Sequence, residues 1–281
     1  MEQISSTYLQ CVKLYDEAYE RHCLVGLKEI DAQRCAIADG FEEAVRLFGI
    51  EQASSLWQGM QSAHVKRKSG ALISTEAIAA VISASQSWNK SSGHAFEQSF
   101  CKTANALLGG TKIKFLLQKE VSELIGKSRL LNKSRDVTSI QAWIKSSAFD
   151  VFVGLIETTG VKIFGCVQCK TSIRDRVGRD REPSLHAMND FFWSISAVVN
   201  GDFLNLPKFN AMVNGGTSDY IKNGWHGMYV YSDCTADDRI FMLNKNFAPL
   251  IDHAKSAAKS WETDRQWLDS DWYPKVENVT P

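Results

Sequence analysis

The sequence predicts a mixed α/β protein, in which a central mixed sheet is flanked by helices and follows an all-α N-terminal segment. Three observations support this class. Apolar residues recur at intervals of three and four through the first part of the chain, which is the helical period. Further along, helix and strand patterns follow in the order α, β, ββ, α, β, β, which is typical of a sheet covered by helices. Only five prolines occur, and no low-complexity linker interrupts the chain.

Residues 1–85 are predicted to form a helical N-terminal domain, and residues 86–281 a second domain that contains the sheet. The longest helical pattern covers residues 1–48, and two more helices are predicted at about 50–64 and 74–87. The charge of this segment is mildly acidic, which suits packing or self-association better than contact with a polyanion.

The middle of the chain is predicted to hold a β-hairpin. A helix capped by Ser91 or Ser92 is expected to end near Gly109-Gly110, and the stretch TKIKFLLQK that follows has the composition of a strand. The segments AFDVFVGLIET and VKIFGCVQCKTS are two more strands. Gly160 lies between them and marks the turn of an antiparallel hairpin.

The last third of the chain is predicted to add one buried helix, two strands and a final helix. The stretch SLHAMNDFFWSISAVVN is predicted as the buried amphipathic helix. KFNAMVNGG and WHGMYVYSD are predicted as strands separated by a glycine-rich loop, and residues 247–261 as the final helix.

Composition and charge exclude several classes of protein. The net charge is +0, so a polyanion site must come from local clustering, as in residues 101–135, where eight Lys and Arg meet two Glu. That cluster is either a solvated surface or a surface that contacts phosphates. No apolar run is long enough to cross a membrane. The start, MEQISSTYLQ, is not a signal peptide. We therefore expect no membrane contact and a location in the cytoplasm.

The seven cysteines show no disulfide framework, so we expect reduced thiols. Cys166 and Cys169 form a CxxC pair, which could be a redox or zinc site. The period of two along a strand puts Phe164, Cys166, Gln168 and Lys170 on one face and Cys169 on the other. The two sulfurs therefore diverge, and no second CxxC or spaced pair of histidines accompanies them. Structural thiols are the preferred interpretation.

Asp150 begins the first strand of the hairpin, and Lys170 ends the second. Antiparallel pairing brings these two positions to the same end of the hairpin. Carboxylate oxygens suit Mg²⁺, a hard cation, and a lysine beside them can stabilise charge on a phosphate. The residue two before the lysine, where nucleases of this geometry usually have a second acid, is Gln168. Another acid must therefore complete such a site.

Three blocks of sequence carry a resemblance to a known family: SWNKSSGHAFE, the strand that begins at Asp150, and CKTSIRDRVGRDRE. They resemble the type II restriction endonucleases of the PD-(D/E)xK fold that recognise CCGG or CCNGG cores. Within that group the chain is most similar to the BsaWI-like enzymes, which cut CCGG sites flanked by A·T pairs. The similarity extends to PKFNAMVNGGTS and NGWHGMYV. The most specific feature is a strand that ends in lysine, followed four residues later by Arg-Asp-Arg.

The resemblance implies a catalytic site. The family supplies its second acid from a glutamate about a dozen residues beyond the lysine, and Glu182 matches that position. A further acid comes from a preceding helix, and Glu97 matches it. The implied catalytic residues are Asp150, Lys170, Glu182 and Glu97, with Mg²⁺ held by the three acids.

The resemblance also assigns base reading to Arg174, Asp175 and Arg176. An arginine can donate two hydrogen bonds to guanine, and an aspartate can accept one from cytosine N4, so the triplet suits G·C pairs in the major groove. A second copy, Arg179, Asp180 and Arg181, is expected to contact phosphates, assist reading or orient the acid that follows it. A solvated loop with local ion pairs is the alternative interpretation.

The resemblance thus implies a Mg²⁺-dependent endonuclease that cuts double-stranded DNA before the first C of CCGG and leaves four-base 5′ overhangs. A palindromic core implies a homodimer or a higher homo-oligomer. The N-terminal domain would then serve oligomerisation or embrace the DNA. The resemblance also implies a cognate DNA methyltransferase in the same bacterial cell, without direct contact.

Two alternatives remain open at this stage. One is a nuclease of the same fold with a CCNGG core or with selectivity for structured or damaged DNA. The other is a non-catalytic protein, either a DNA-binding module or a thiol or zinc protein that uses the CxxC pair.

Overall fold

The computed structural model describes residues 6–69, 75–171, 177–232 and 235–274. The chain falls into two units, Met1–Ser99 and Phe100–Pro281. The limit between them lies inside one long helix, α4, which also contains the predicted domain limit at residues 85 and 86. The described helices include none that is long and apolar enough to cross a membrane.

The first unit is helical, as the spacing of its apolar residues predicts. Its core is built around Trp57, whose ring lies against Phe41, Trp88 and Phe96 at centroid distances of 4.7, 5.4 and 6.0 Å. Each of these rings meets Trp57 edge to face, which is a favourable geometry for aromatic pairs. The helices of the described residues here are α1 (Ser6–Leu24), α2 (Glu29–Phe48), α3 (Ala53–Ser69) and α4 (Thr75–Leu107).

Two predicted helices of this region are parts of one. The predicted helix at 74–87 and the one capped by Ser91 or Ser92 both lie within α4. The two serines are buried inside that helix and do not cap it. Local propensity for a cap is a weak signal when no glycine or proline breaks the chain, and tertiary packing overrides it.

The second unit contains a six-stranded sheet in the order β1-β2-β3-β4-β5-β6. The first three strands pair antiparallel and the last three steps are parallel, so the sheet is mixed, as predicted. The strands are β1 (Ile113–Leu117), β2 (Val151–Ile156), β3 (Val161–Lys170), β4 (Trp193–Asn200), β5 (Gly227–Ser232) and β6 (Ile240–Met242). The helices are α5 (Gln118–Gly126), α6 (Ser134–Ser146), α7 (Val177–Asn189), α8 (Pro207–Asn214) and α9 (Ala248–Asp264).

The predicted hairpin is β2 and β3, and Gly160 lies at its turn. A side chain at Gly160 would place a Cβ 2.1 Å from the carbonyl oxygen of Arg129, so only glycine fits there. The hairpin carries a β-bulge, because Val153 faces Gly165 whereas Gly154 faces Ile163. The extra residue is Phe164, whose ring stacks on Trp193 with centroids 6.3 Å apart.

The bulge corrects the predicted faces of β3. Strict alternation puts Phe164 with Cys166, but the structure packs Cys166 with Ile163 in one apolar cluster. An extra residue in one strand reverses the alternation on either side of it. The prediction for β3 therefore applies only beyond the bulge, from Cys166 to Lys170.

Two other predicted elements are wrong. Residues 184–200 do not form one helix: α7 ends at Asn189 and β4 occupies Trp193–Asn200. β4 is buried on both faces, serines included, so it lacks an exposed polar face, and no glycine or proline separates it from α7; the two segments therefore resemble one buried helix. Residues 208–216 are not a strand, because α8 covers most of them. Its start is marked by Pro207 and its end by Gly215, which has a φ of 75°.

Two buried histidines in the second unit are held neutral. His226 accepts a hydrogen bond from the Ser194 backbone N–H (3.0 Å), so its Nε2 donates to the Asp269 carbonyl at 2.6 Å. Burial lowers the pKa of His226 to about 3. His253 lies 2.7 Å from the hydroxyl of Tyr229, and burial lowers its pKa to about 4.

The protein is expected to lose stability as the pH falls below about 6.5, where these histidines gain protons in the unfolded chain but not in the folded one. The loss should continue down to about pH 4, where the folded His253 begins to titrate. The measurement is the urea midpoint between pH 7 and pH 4. His253→Asn keeps a hydrogen-bond acceptor and removes the titration, so its midpoint should depend less on pH. An equal dependence in both proteins would contradict the assignment.

Candidate active site

The segment between α6 and β2 turns the chain so that Asp150 enters the sheet. α6 ends at Ser146, and Ser147 takes a left-handed conformation with a φ of 52°. The amide of Gln118 donates to the carbonyls of Ile144 and Phe149, at 3.3 and 3.0 Å. The Asp150 backbone N–H then donates to the Val167 carbonyl at 3.0 Å, which starts the pairing with β3.

Asp150 and Lys170 meet at one end of the hairpin. The Lys170 Nζ donates to Oδ2 of Asp150 at 3.0 Å, and the backbone N–H of Cys169 donates to the same oxygen at 2.8 Å. The side chain of Lys170 is 22% exposed and that of Asp150 is 16% exposed. The structure therefore brings together the two residues that antiparallel pairing was expected to bring together, in a mostly buried pair that solvent can still reach.

The charges around Lys170 keep it protonated. Burial by itself lowers the pKa of a lysine, but the carboxylates of Asp150 and Asp180 outweigh it, and the pKa of Lys170 is raised above its ordinary value. An ammonium at neutral pH cannot act as a base. It can donate hydrogen bonds to a phosphate and stabilise negative charge there.

Asp150 has one oxygen that could hold a cation. Its Oδ2 receives the two hydrogen bonds above, and no hydrogen bond from another described residue reaches Oδ1. Mg²⁺ usually takes one or two carboxylates from a protein and completes its shell with water and substrate phosphates. Asp150 fits that use. The described residues hold no group of three or more His, Cys, Asp or Glu side chains that could bind a metal by themselves.

Gln168 occupies the position of the usual second acid, and its side chain is fully buried. Its Nε2 donates to the carbonyls of Ala148 and Asp180, at 3.1 and 2.8 Å. Its Oε1 accepts a hydrogen bond from the indole N–H of Trp225 at 2.8 Å. This side chain is engaged with the protein on both sides, so it is no substitute for a metal-binding carboxylate.

The other two predicted acids lie on helices. Glu182 is exposed on α7, and its carboxylate has no hydrogen bond or ion pair to the other described residues. Glu97 lies in α4, where it pairs with Nδ1 of His94 at 3.0 Å. Glu97 belongs to the first unit and Asp150 to the second. The catalytic roles of Glu182 and Glu97 remain predictions from the sequence.

The first Arg-Asp-Arg copy, Arg174 to Arg176, lies outside the described residues, together with its Asp175. The second copy forms the first turns of α7, where Arg179 is exposed and Asp180 is half-buried.

Arg181 of the second copy faces the protein. Its Nε donates to the Met212 carbonyl at 3.1 Å, its guanidinium also donates to the Lys222 carbonyl, and it lies over the ring of Tyr220. Burial lowers the pKa of its guanidinium. Arg181 therefore ties α7 to the loop after α8.

The CxxC pair is structural in this fold. Cys166 packs in an apolar cluster with Phe152 and Ile163, and burial raises the pKa of its thiol. Cys169 is buried as well. A buried thiol with a raised pKa is neither a good nucleophile nor a good metal ligand.

Sequence reasoning missed the connecting role of Gln168 and the inward orientation of Arg181. The sequence did indicate that Gln168 has hydrogen-bond partners inside the protein, because an amide within a strand of otherwise apolar residues needs buried partners. Its partner Trp225 is 57 positions further along the chain, and no local pattern relates the two. Arg181 is likewise far along the chain from its partners Met212 and Lys222, so no local pattern predicts its inward orientation.

A mixed sheet with an aspartate and a lysine at one end of its antiparallel hairpin is the arrangement of the restriction endonucleases of the PD-(D/E)xK fold. The comparisons agree with this class. A solved structure described as a pre-specific restriction endonuclease BsaWI–DNA complex is 41% identical in sequence, covers 97% of this chain and 100% of its own, and has a TM-score of 0.70. A specific AgeI–DNA complex, at 18% identity, covers 89% and 92% with a TM-score of 0.59, and shares the fold.

The particular family follows from the same comparisons. Residues 131–267 match the family model described as BsaWI restriction endonuclease type 2. Comparison with curated proteins found no match. The identity and coverage show that the chain belongs to the BsaWI family of type II restriction endonucleases. It is a site-specific endonuclease.

Arg181→Ala should lower the free energy of unfolding by about 2 kcal/mol, because it removes charged hydrogen bonds to two backbone carbonyls. It should also make the loop at residues 214–224 more sensitive to proteases. The matched variant is Arg179→Ala, two positions earlier on the exposed side of α7, which should leave both properties unchanged. Urea denaturation and limited proteolysis measure them. Equal stability of the two variants would contradict the inward role of Arg181.

Proposed function

We propose that this restriction endonuclease hydrolyses double-stranded DNA at a palindromic site with a CCGG core flanked by A·T pairs. Cleavage before the first C would leave 5′ overhangs that comprise the core. The observation that carries the proposal is the buried Asp150–Lys170 pair at the end of the hairpin, in a chain 41% identical to BsaWI over nearly its whole length. BsaWI and AgeI were both solved in complex with DNA.

The chain's own residues would act on the scissile phosphate by charge and position. Lys170 stays protonated and donates to a phosphate oxygen, so it stabilises the negative charge that grows there during attack by water. Asp150 holds that ammonium through Oδ2 and keeps Oδ1 for a cation. Glu182 would supply a second carboxylate from α7, and Glu97 would assist from α4.

Mg²⁺ is the proposed cofactor, with Asp150, Glu182 and Glu97 as the residues that would hold it. When bound, it would supply a positive charge that offsets the charge on the phosphate. The family generally uses a divalent metal, and oxygen ligands favour magnesium among these.

Base reading is proposed for Arg174, Asp175 and Arg176, which lie between the catalytic strand and α7. Each bidentate pair between a side chain and its base would discriminate against the wrong base by about 1–3 kcal/mol. Arg179 is exposed on the next turn and is a candidate for phosphate contact. The inward bonds of Arg181 favour a supporting role for that residue.

The proposed assembly is a homodimer or a higher homo-oligomer, because a palindrome presents two equivalent phosphates to two equivalent sites. The helical N-terminal segment would contribute to oligomerisation or to holding the DNA. We also propose that the enzyme works in the bacterial cytoplasm, where a cognate DNA methyltransferase protects the host's own sites.

The purified chain should cut a plasmid of known sequence into discrete bands when Mg²⁺ is added, and chelation by EDTA should stop the reaction. Run-off sequencing of the ends should place every cut before the first C of a CCGG core. Cuts at CCNGG would show a spacer base in the core. Smearing, or cutting at branched DNA alone, would contradict the proposal and favour a structure-selective nuclease.

Catalysis and base reading should separate in variants. Asp150→Ala should abolish cleavage, because it removes the carboxylate that would hold the metal ion. Lys170→Ala should slow it roughly 100- to 1,000-fold, because it removes a cation that would stabilise the negative charge on the reacting phosphate. Both should still bind cognate DNA in a gel-shift assay with Ca²⁺. Arg174→Ala or Arg176→Ala should instead lose specific binding. Lys162→Ala, on the same strand but at the turn end of the hairpin, is the matched control and should cut normally.

The same assay identifies the acid that α7 contributes. Glu182→Gln should abolish cleavage, whereas Asp180→Asn should slow it less, because Asp180 acts on the charge of Lys170. If Asp180→Asn abolished cleavage and Glu182→Gln slowed it less, Asp180 would be the second acid. Normal cutting by Asp150→Ala would overturn the catalytic assignment as a whole.

A further inference from the structure

Gln168 makes a set of hydrogen bonds that only an amide can make. Two carbonyl oxygens, of Ala148 and Asp180, lie on the Nε2 side, and they can only accept. The indole N–H of Trp225 lies on the Oε1 side, and it can only donate. The partners therefore fix the orientation of the amide. A carboxylate could satisfy the indole but neither carbonyl.

Gln168 and its two carbonyl partners belong to three parts of the candidate active site. Ala148 lies two residues before Asp150, and Asp180 lies two residues before Glu182. Gln168 itself lies two residues before Lys170, on the same face of β3 beyond the bulge. One side chain thus connects the approach to the catalytic aspartate, the strand of the catalytic lysine and the turn of α7 that carries the second acid.

The first turn of α7 has a second anchor. Val177, its first residue, is fully buried and packs in an apolar cluster with Trp225, the residue that also binds Gln168. The first turn of α7 is therefore held by an apolar contact and by the hydrogen bond from Gln168 to the Asp180 carbonyl. That hydrogen bond is directional, since it requires one distance and one angle, and it is the one that reaches β3. Further along α7, the hydroxyl of Ser184 shares a hydrogen bond with that of Ser194 on β4.

We propose that Gln168 is a positioning residue for cleavage: its amide sets the distance between the catalytic strand and the α7 turn that carries Glu182. This inference rests on the proposed function. At position 168 an acid would bind the metal, whereas Gln168 positions another segment. The proposed second acid of this chain, Glu182, lies on α7, and the amide of Gln168 holds that helix.

The proposal predicts that restoring the usual acid harms the enzyme. Gln168→Glu would place a buried carboxylate against two carbonyl oxygens, which would repel it and push α7 away from β3. Gln168→Met keeps the volume and removes all three hydrogen bonds. A displacement of about 1 Å in a catalytic group costs roughly 100-fold in rate, so both variants should slow cleavage by about that factor.

The test measures the single-turnover cleavage rate on prebound cognate DNA, together with hydrogen exchange of the backbone amides. Gln168→Glu and Gln168→Met should bind DNA, cleave about 100-fold more slowly, and exchange faster in the first turns of α7. The matched control is Asn132→Asp. The Asn132 amide also donates to a carbonyl, that of Ile163 on β3 at 2.7 Å, but it lies towards the turn end of the hairpin and makes no bond to α7. It should retain most of the rate and the protection of α7.

Two outcomes would overturn the proposal. If Gln168→Glu cut as fast as the wild type or faster, position 168 would be able to serve as an acid site. If Asn132→Asp slowed cleavage equally, the effect would be a general loss of stability. If the wild type did not cut DNA, the proposed function would be wrong. Hydrogen exchange of the α7 backbone amides would still decide whether Gln168 holds that helix.

Discussion

The candidate site depends on one local constraint, the antiparallel pairing of β2 and β3. That pairing puts Asp150, which directly precedes β2, beside Lys170, the last residue of β3, and it holds the pair mostly buried at their common end. The backbone takes part directly, because the Cys169 N–H binds the same carboxylate oxygen as the lysine. The negative charge of Asp150 helps to keep Lys170 protonated at a place where burial would otherwise lower the pKa of the lysine. Phosphate chemistry needs this combination of a fixed cation and a fixed anion.

Around that pair the fold uses neutral amides to hold the segments that carry charged residues. Gln118 and Gln168 both donate to carbonyls in the short turn before Asp150. Gln168 extends the connection to α7, and Arg181 extends it further to the loop after α8. A chain of hydrogen bonds therefore runs from the catalytic strand through α7 to a surface loop. The exposed Arg179 and Glu182 lie on the helix in the middle of this chain.

The sequence predicted the hairpin, the turn at Gly160 and the meeting of Asp150 and Lys170, because these follow from local patterns and from the pairing of neighbouring strands. It failed where the signal is not local. β4 is buried on both faces, including Ser194 and Ser196, which alternate with its first apolar residues, and no glycine or proline separates it from α7, so it was mistaken for part of a helix. Trp225, one partner of Gln168, lies 57 positions away, and the partners of Arg181 lie at least 31 positions away, so no local pattern predicts these contacts. The acids on α7 and α4 came from the family resemblance, since no spacing rule connects them with the hairpin.

The bulge at Phe164 has a consequence for how this hairpin can change in length. Ile163 and Cys166 lie in one apolar cluster although they are three positions apart, so the bulge absorbs the extra residue and the side chains beyond it keep their faces. Loss of Phe164 would therefore leave a regular strand with Lys170 still beside Asp150, whereas loss of one residue between Cys166 and Lys170 would turn the lysine to the opposite face. The bulge is thus the position at which this hairpin can gain or lose a single residue without separating the catalytic pair.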